Sequence, residues 1–202
     1  QGAALMTGTT VEKKFIDGLA DTVPNHTLES VLYRNFETLG VPVHTAEEHA
    51  WADALAETYP GSGRLPGIGA ENDGTVAEQV QALREANGHA MNDFLLPLYQ
   101  RDAFNPGSTD VGDVSWQTPT GQIHAAAWPN GAPGHSWQNV SIGRTEIGRR
   151  AALHAGKVLA AAAIDLLENP ALLDAAKAEF ERQTASGYTC PIPADAVPTV
   201  AD

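Results

Sequence analysis

The sequence has almost no cysteine. Cys190 stands alone among 202 residues, which excludes an internal disulfide framework and any cysteine-based zinc cluster built from this chain alone. Long apolar runs are missing too: the alanine-rich stretch Leu153–Leu167 is interrupted by Lys157 and Asp165, and nothing reaches the roughly 18 apolar residues of a membrane-crossing helix. Positive charge is scarce, with 12 Lys plus Arg against 25 Asp plus Glu for a formal charge of -13, and no basic cluster could follow a phosphate backbone. These absences argue against nucleic acid and anionic membrane as partners. A basic-then-apolar leader is also lacking. The chain begins Gln1-Gly2-Ala3-Ala4 without an initiator Met, the start expected of a fragment, and the expected compartment is the cytoplasm. Nucleophile elbow, P-loop, dinucleotide-binding glycine fingerprint and HExxH pair are absent, so the common enzyme motifs give no lead.

What is present suffices for one domain with a real core: 43% of residues are hydrophobic and 6% aromatic, an ordinary globular balance. Met6–Ile16 reads as a strand from its β-forming residues Thr7, Thr9, Thr10, Val11 and Phe15, yet no local partner follows it. Asn25–Leu39 reads as a helix, with Leu28, Val31, Leu32, Phe36 and Leu39 at helical spacing and Gly40 and Pro42 as stops. Thr45-Ala46-Glu47-Glu48 is a capping box that should open a helix running to about Tyr59. After the Gly/Pro-rich loop Pro60–Gly74, a further helix is expected from Thr75 to about Gly88. The stretch 45–105 thus reads as a helical insertion over the domain. Val111–Trp116 and Gln122–Trp128 are short apolar runs between turn residues, expected to be two strands of an α/β sheet. Thr145–Leu167 carries the strongest helical pattern, Asn169-Pro170 ends it and caps a last helix at Ala171–Thr184, and residues 187–202 should form an irregular tail.

Three groups of residues could carry chemistry. In Gly107-Ser108-Thr109-Asp110-Val111-Gly112-Asp113, the Ser, Thr and Asp can simply make side-chain turns to the backbone. Alternatively, the amides of Gly107, Ser108 and Thr109 approach an anionic substrate group, and Asp110 orients a metal-bound imidazole. His135, in Gly134-His135-Ser136-Trp137, follows a predicted strand, where open-sheet proteins concentrate their chemistry; by itself a loop histidine is a surface residue. The other histidines, 26, 44, 49, 89, 124 and 154, are scattered, with His124 expected to alternate within a strand and His154 to lie on a packing helix. One imidazole does not hold a divalent ion, since a catalytic zinc site needs about three protein ligands and an open position.

Gly107-Ser-Thr-Asp-Val-Gly-Asp-Val-Ser-Trp116 and Gly134-His-Ser-Trp137, with the opening Leu5-Met-Thr-Gly-Thr-Thr-Val11 and then Pro24-Asn25, resemble the C-terminal part of M20-type amidohydrolases, in the aminobenzoyl-glutamate hydrolase branch. The resemblance implies a three-layer α/β/α zinc-peptidase-like catalytic domain over residues 21–202, preceded in residues 1–20 by the last strand of an inserted α+β lid that usually dimerises. It implies a two-metal centre, zinc or manganese, whose ions polarise an amide carbonyl and activate water. His135 matches the late metal ligand of the family, and Asp110 lies beside it as an orienting carboxylate. The remaining ligands and the general-base glutamate would belong to the other half of the catalytic domain. The implied substrate is an N-acyl amino acid such as aminobenzoyl-glutamate, and the implied assembly a homodimer of a longer protein. The chain alone is then expected to bind no metal and to be inactive. The competing expectation is a non-catalytic binding subunit that keeps the fold without the chemistry.

Overall fold

Helix starts in this protein are set by side chains that satisfy the backbone N–H groups a helix leaves open. The computed structural model describes residues 1–15, 17–61, 65, 74–100, 107 and 109–196. Among them run α1 (Gly2–Thr7), α2 (His26–Leu39), α3 (Ala46–Ala56), α4 (Gly74–Asn87), α5 (Val111–Ser115), α6 (Trp137–Ile142), α7 (Glu146–Glu168) and α8 (Pro170–Gln183). Asn25 caps α2 by accepting from the Leu28 amide at 3.0 Å. The reciprocal box of Thr45 and Glu48 opens α3. Thr145 caps α7 through the Gly148 amide, and Pro170 takes the first turn of α8, where its missing N–H costs nothing. Helix α3 stops at Ala56, three residues before the Tyr59 expected, because Pro60 disfavours helical backbone at the residue before it.

Helices α2, α7 and α8 pack on one another. Val31, Leu32 and Phe36 of α2 meet Val158 and Ala162 of α7, flanked by Leu95, Ile123 and Leu172. Each large aliphatic side chain buried there contributes about 1.5–3 kcal/mol by leaving water. A polar seam fixes the register of these helices. The Glu179 carboxylate on α8 accepts from the His26 and Thr27 amides at 2.7 and 2.9 Å and from the Thr27 hydroxyl at 2.6 Å. Buried Asn25 donates to the Ala176 carbonyl. A negative charge at the N-terminus of α2 also interacts favourably with the helix dipole. The second core is smaller: Ala52 of α3, Met91, Ile142 of α6 and Ile147 of α7, with Ala126 against them.

The described residues contain no strand, which corrects three expectations and the α/β assignment that rested on them. Met6–Ile16 is not extended throughout: Gly2–Thr7 is helical and ends at Gly8 in the left-handed conformation; Thr9 to Phe15 are irregular, and Ile16 lies outside the described residues. Val111–Trp116 is not a strand but the short helix α5. Gln122–Trp128 has no regular structure, although side chains 121–125 alternate between more and less exposed as a half-buried strand would. β-Propensity reports how a residue fits a pleated surface already paired with neighbours. No described segment of this chain pairs with these three, so the propensity has nothing to act on. The irregular tail holds for residues 187–196, and the rest of it lies outside the described residues. No helix among the described residues is long and apolar enough to cross a membrane.

Candidate functional site

The motif at 107–116 divides into residues that bond the segment 20–23 or the tail and residues that do not. A methyl group at Gly112 would sit 1.9 Å from the Ala20 carbonyl oxygen, so only glycine lets α5 lie against the segment 20–23. Asp113 accepts from the Ala20 amide and from the Tyr188 hydroxyl at 2.7 Å. That second bond holds the Tyr188 phenol above its ordinary pKa, with desolvation acting the same way. Buried Ser115 accepts from the Val23 amide at 2.8 Å, and the Trp116 indole donates to the Asp21 carbonyl. By contrast Gly107, Thr109 and Asp110 are exposed, Asp110 makes no side-chain cap on α5, and Ser108 lies outside the described residues. The Thr109 hydroxyl accepts from the Val111 amide at 3.4 Å.

His135 is exposed, and it is the one non-glycine residue with a left-handed backbone among those described, at φ 53°. Such a conformation costs about 1–3 kcal/mol and survives where the surroundings impose it. Ser136 imposes it here by donating to the Pro133 carbonyl at 2.6 Å while accepting from the Asn139 amide to cap α6. The imidazole is thus presented on a tight turn just ahead of a helix. No hydrogen bond or ion pair joins it to Asp110, and among the described residues it belongs to no group of three metal-ligating side chains.

A different set of histidines is brought together. His44, His49 and Asp93 each offer a donor atom, and the three atoms lie within 4.8 Å of one another. His44 Nδ1 bonds one carboxylate oxygen of Asp93, and His49 Nε2 bonds the other at 2.9 Å. Burial raises the Asp93 carboxyl, but hydrogen bonds from the His44 ring and amide, the His44 charge and the His49 bond outweigh it. Asp93 therefore titrates below its ordinary range. Next to this trio His89 stacks on His49 with ring centroids 4.0 Å apart, and Asp53 holds His89 Nδ1 at 2.9 Å. His44 also lines a cleft of about 1100 Å³ shared with Tyr33, Asn92, His124, Asn130 and His154.

Local signals for this trio existed. His44 immediately precedes the cap residue Thr45 and His49 is the fourth residue of α3, the two positions whose side chains meet across a capping box. Their rings are 5.6 Å apart in an edge-on arrangement. Nothing local pointed to Asp93, which arrives from 44 residues beyond His49. It is placed by Asn87 at the end of α4, whose side chain accepts from the Asp93 amide and donates to the Met91 carbonyl.

Comparison with known proteins identifies a relative. The chain is 35% identical over 206 aligned positions, 98% of its length, to a subunit of the p-aminobenzoyl-glutamate hydrolase of Escherichia coli (strain K12). It is similar to that hydrolase subunit along nearly its whole length. The resemblance carried by Gly107–Trp116 and Gly134–Trp137 is borne out, and the chain spans 42% of the length of that relative. No family model matches the chain, and no solved structure matches it.

Proposed function

We propose that this chain forms part of a metal-dependent amidohydrolase that cleaves the amide bond of N-acyl amino acids of the aminobenzoyl-glutamate kind. The observation that carries the reading is the similarity to the p-aminobenzoyl-glutamate hydrolase subunit over 98% of the chain. The exposed, left-handed His135 supports it, because a conformation held at a cost is what a positioned ligand requires. Among the described residues His135 joins no group of three metal-ligating side chains, and in this reading the remaining ligands and the general base of a two-metal centre come from the rest of a longer protein. Zinc or manganese ions there would polarise the amide carbonyl and activate water. The chain's own part is to present the His135 imidazole; Asp110, which does not bond it in this structure, would serve as its orienting carboxylate once the centre is complete, with the amides near Gly107, Ser108 and Thr109 for a substrate carboxylate.

In the same reading residues 21–202 belong to the catalytic domain and residues 1–20 to a lid that dimerises, in the cytoplasm. An outward apolar face on α7, with Leu153, Ile164 and Leu167 exposed, supports a larger body around this chain.

The test uses a longer protein that carries this segment together with its complement. His135→Ala should lower metal content and N-acyl glutamate hydrolysis by about 100-fold or more while the unfolding midpoint stays near wild type, since an exposed side chain contributes little packing. Unchanged turnover would remove His135 from the centre. Hydrolysis by the 202-residue chain alone would show that the catalytic groups lie within it.

A further inference from the structure

We infer that His44, His49 and Asp93 form a second metal site, separate from His135, which takes a single zinc-type divalent ion within this chain. The donor set is two imidazoles and one carboxylate, a combination that suits zinc and its transition-metal neighbours and not calcium or magnesium, which take oxygen ligands. Ligands at zinc distances stand about 3.3 Å apart around a tetrahedral ion. Donor atoms already within 4.8 Å reach that spacing by small side-chain rotations.

The site is built rather than incidental. The His44 side chain is 2% exposed and the His49 side chain 10%, and the three ligands come from the residue before α3's cap, from α3 itself and from the turn that Asn87 holds. An ion would enter between Asp93 and the two ring nitrogens that now bond it, His44 Nδ1 and His49 Nε2.

Three protein ligands leave one position open. His44 lines the cleft that also holds Asn92 and Asn130, which gives an ion a route in and a fourth ligand, water or an anionic group, a place to stand. Behind the trio, the Asp53–His89 pair stacked on His49 fixes the plane of that ring, as outer partners orient ligating imidazoles. The ion would join the start of α3 to the turn after α4. This assignment runs against the expectation that the chain holds no metal of its own, and zinc loading decides between them.

The experiment loads the chelator-stripped full chain with Zn²⁺, and with Co²⁺ as a spectroscopic probe. One equivalent of zinc should bind, the unfolding temperature should rise, and the imidazole nitrogen signals of two histidines should shift on loading. Asp93→Asn, which keeps the shape of the side chain, should weaken zinc binding by about 100-fold, and His49→Gln likewise. His135→Ala in this chain should leave stoichiometry and affinity unchanged, so loss of hydrolysis by His135→Ala in the longer protein and loss of zinc in Asp93→Asn report on separate centres. Should Asp93→Asn fail to fold, the cobalt spectrum and histidine signals of the wild-type chain still decide. No zinc uptake at micromolar concentration, uptake that Asp93→Asn does not weaken, or shifts confined to His135 would overturn the site.

Discussion

A single residue in this protein is often held between a conformational cost and a chemical use, and His135 is the clearest case. Its left-handed backbone is unfavourable for any side chain with a Cβ, and its exposed imidazole has little packing to offset that. Replacement by glycine should therefore raise the stability of the chain by about 0.5–1 kcal/mol in urea denaturation. A loss of stability would mean that the ring is held by contacts and not merely tolerated. Glu48 is a case of the opposite kind. Its hydrogen bond to Arg150, together with the bonds to Thr45, brings the carboxyl from 4.5 down to about 2 against the opposing effect of burial. A carboxylate with a depressed folded-state pKa stabilises the fold above its unfolded pKa, and that stability is lost as pH falls through the folded value. Glu48→Gln should then destabilise the chain by about 1 kcal/mol above roughly pH 4.5, the modest size reflecting partial solvent exposure of the pair. The difference between variant and wild type should shrink as pH falls towards about 2 and vanish below it. A gap that persisted there would locate the effect in the capping geometry instead of the charge.

At the scale of elements, what was legible in the sequence is what local chemistry decides. Asn25, the Thr45–Glu48 box, Thr145 and Pro170 each set a helix start with groups at most three residues away, so reading them needed no knowledge of the rest of the fold. The expected strands failed because a ladder is a property of two segments, and α5 shows what took the place of one. Its Gly112 lies against the Ala20 carbonyl, and Asp113, Ser115 and Trp116 bond the segment 20–23. Those contacts span more than 90 residues in sequence and favour a helical turn that apolar alternation could not foretell. The same separation explains the site. Gly134-His135-Ser136 stood out as a local pattern, while the His44–His49–Asp93 trio depends on a carboxylate brought in by the end of α4. Gly112→Ala tests the packing of α5 directly: the methyl group must push the segment 20–23 away, at a cost of about 1–3 kcal/mol, and thermal unfolding should register it. A neutral result would mean that the segment is loosely held and that α5 does not depend on it.

For the whole molecule, the distribution of apolar surface on α7 argues that this chain completes itself against something else. Ile147, Ala151, Val158 and Ala162 form the face buried against α2 and the smaller core. Leu153, Ile164 and Leu167 lie outside that face on the same helix, with Leu153 63% and Leu167 81% exposed. A helix that is apolar on both sides belongs inside a body thicker than two layers, and the chain spans only 42% of the hydrolase subunit it resembles. If the outer face of α7 meets the remainder of a longer protein, its residues contribute nothing to the chain in isolation. Leu153→Lys combined with Leu167→Lys should then shift the stability of the isolated chain by no more than about 0.5 kcal/mol, while lowering its binding of a hydrophobic dye and its tendency to associate. The same pair introduced into the longer protein should cost several kcal/mol, because two lysines would be forced into an apolar contact without partners. Denaturant titrations of both proteins measure the contrast. Equal and small effects in the two would mean that the outer face of α7 stays in water, and the surrounding body would have to dock elsewhere.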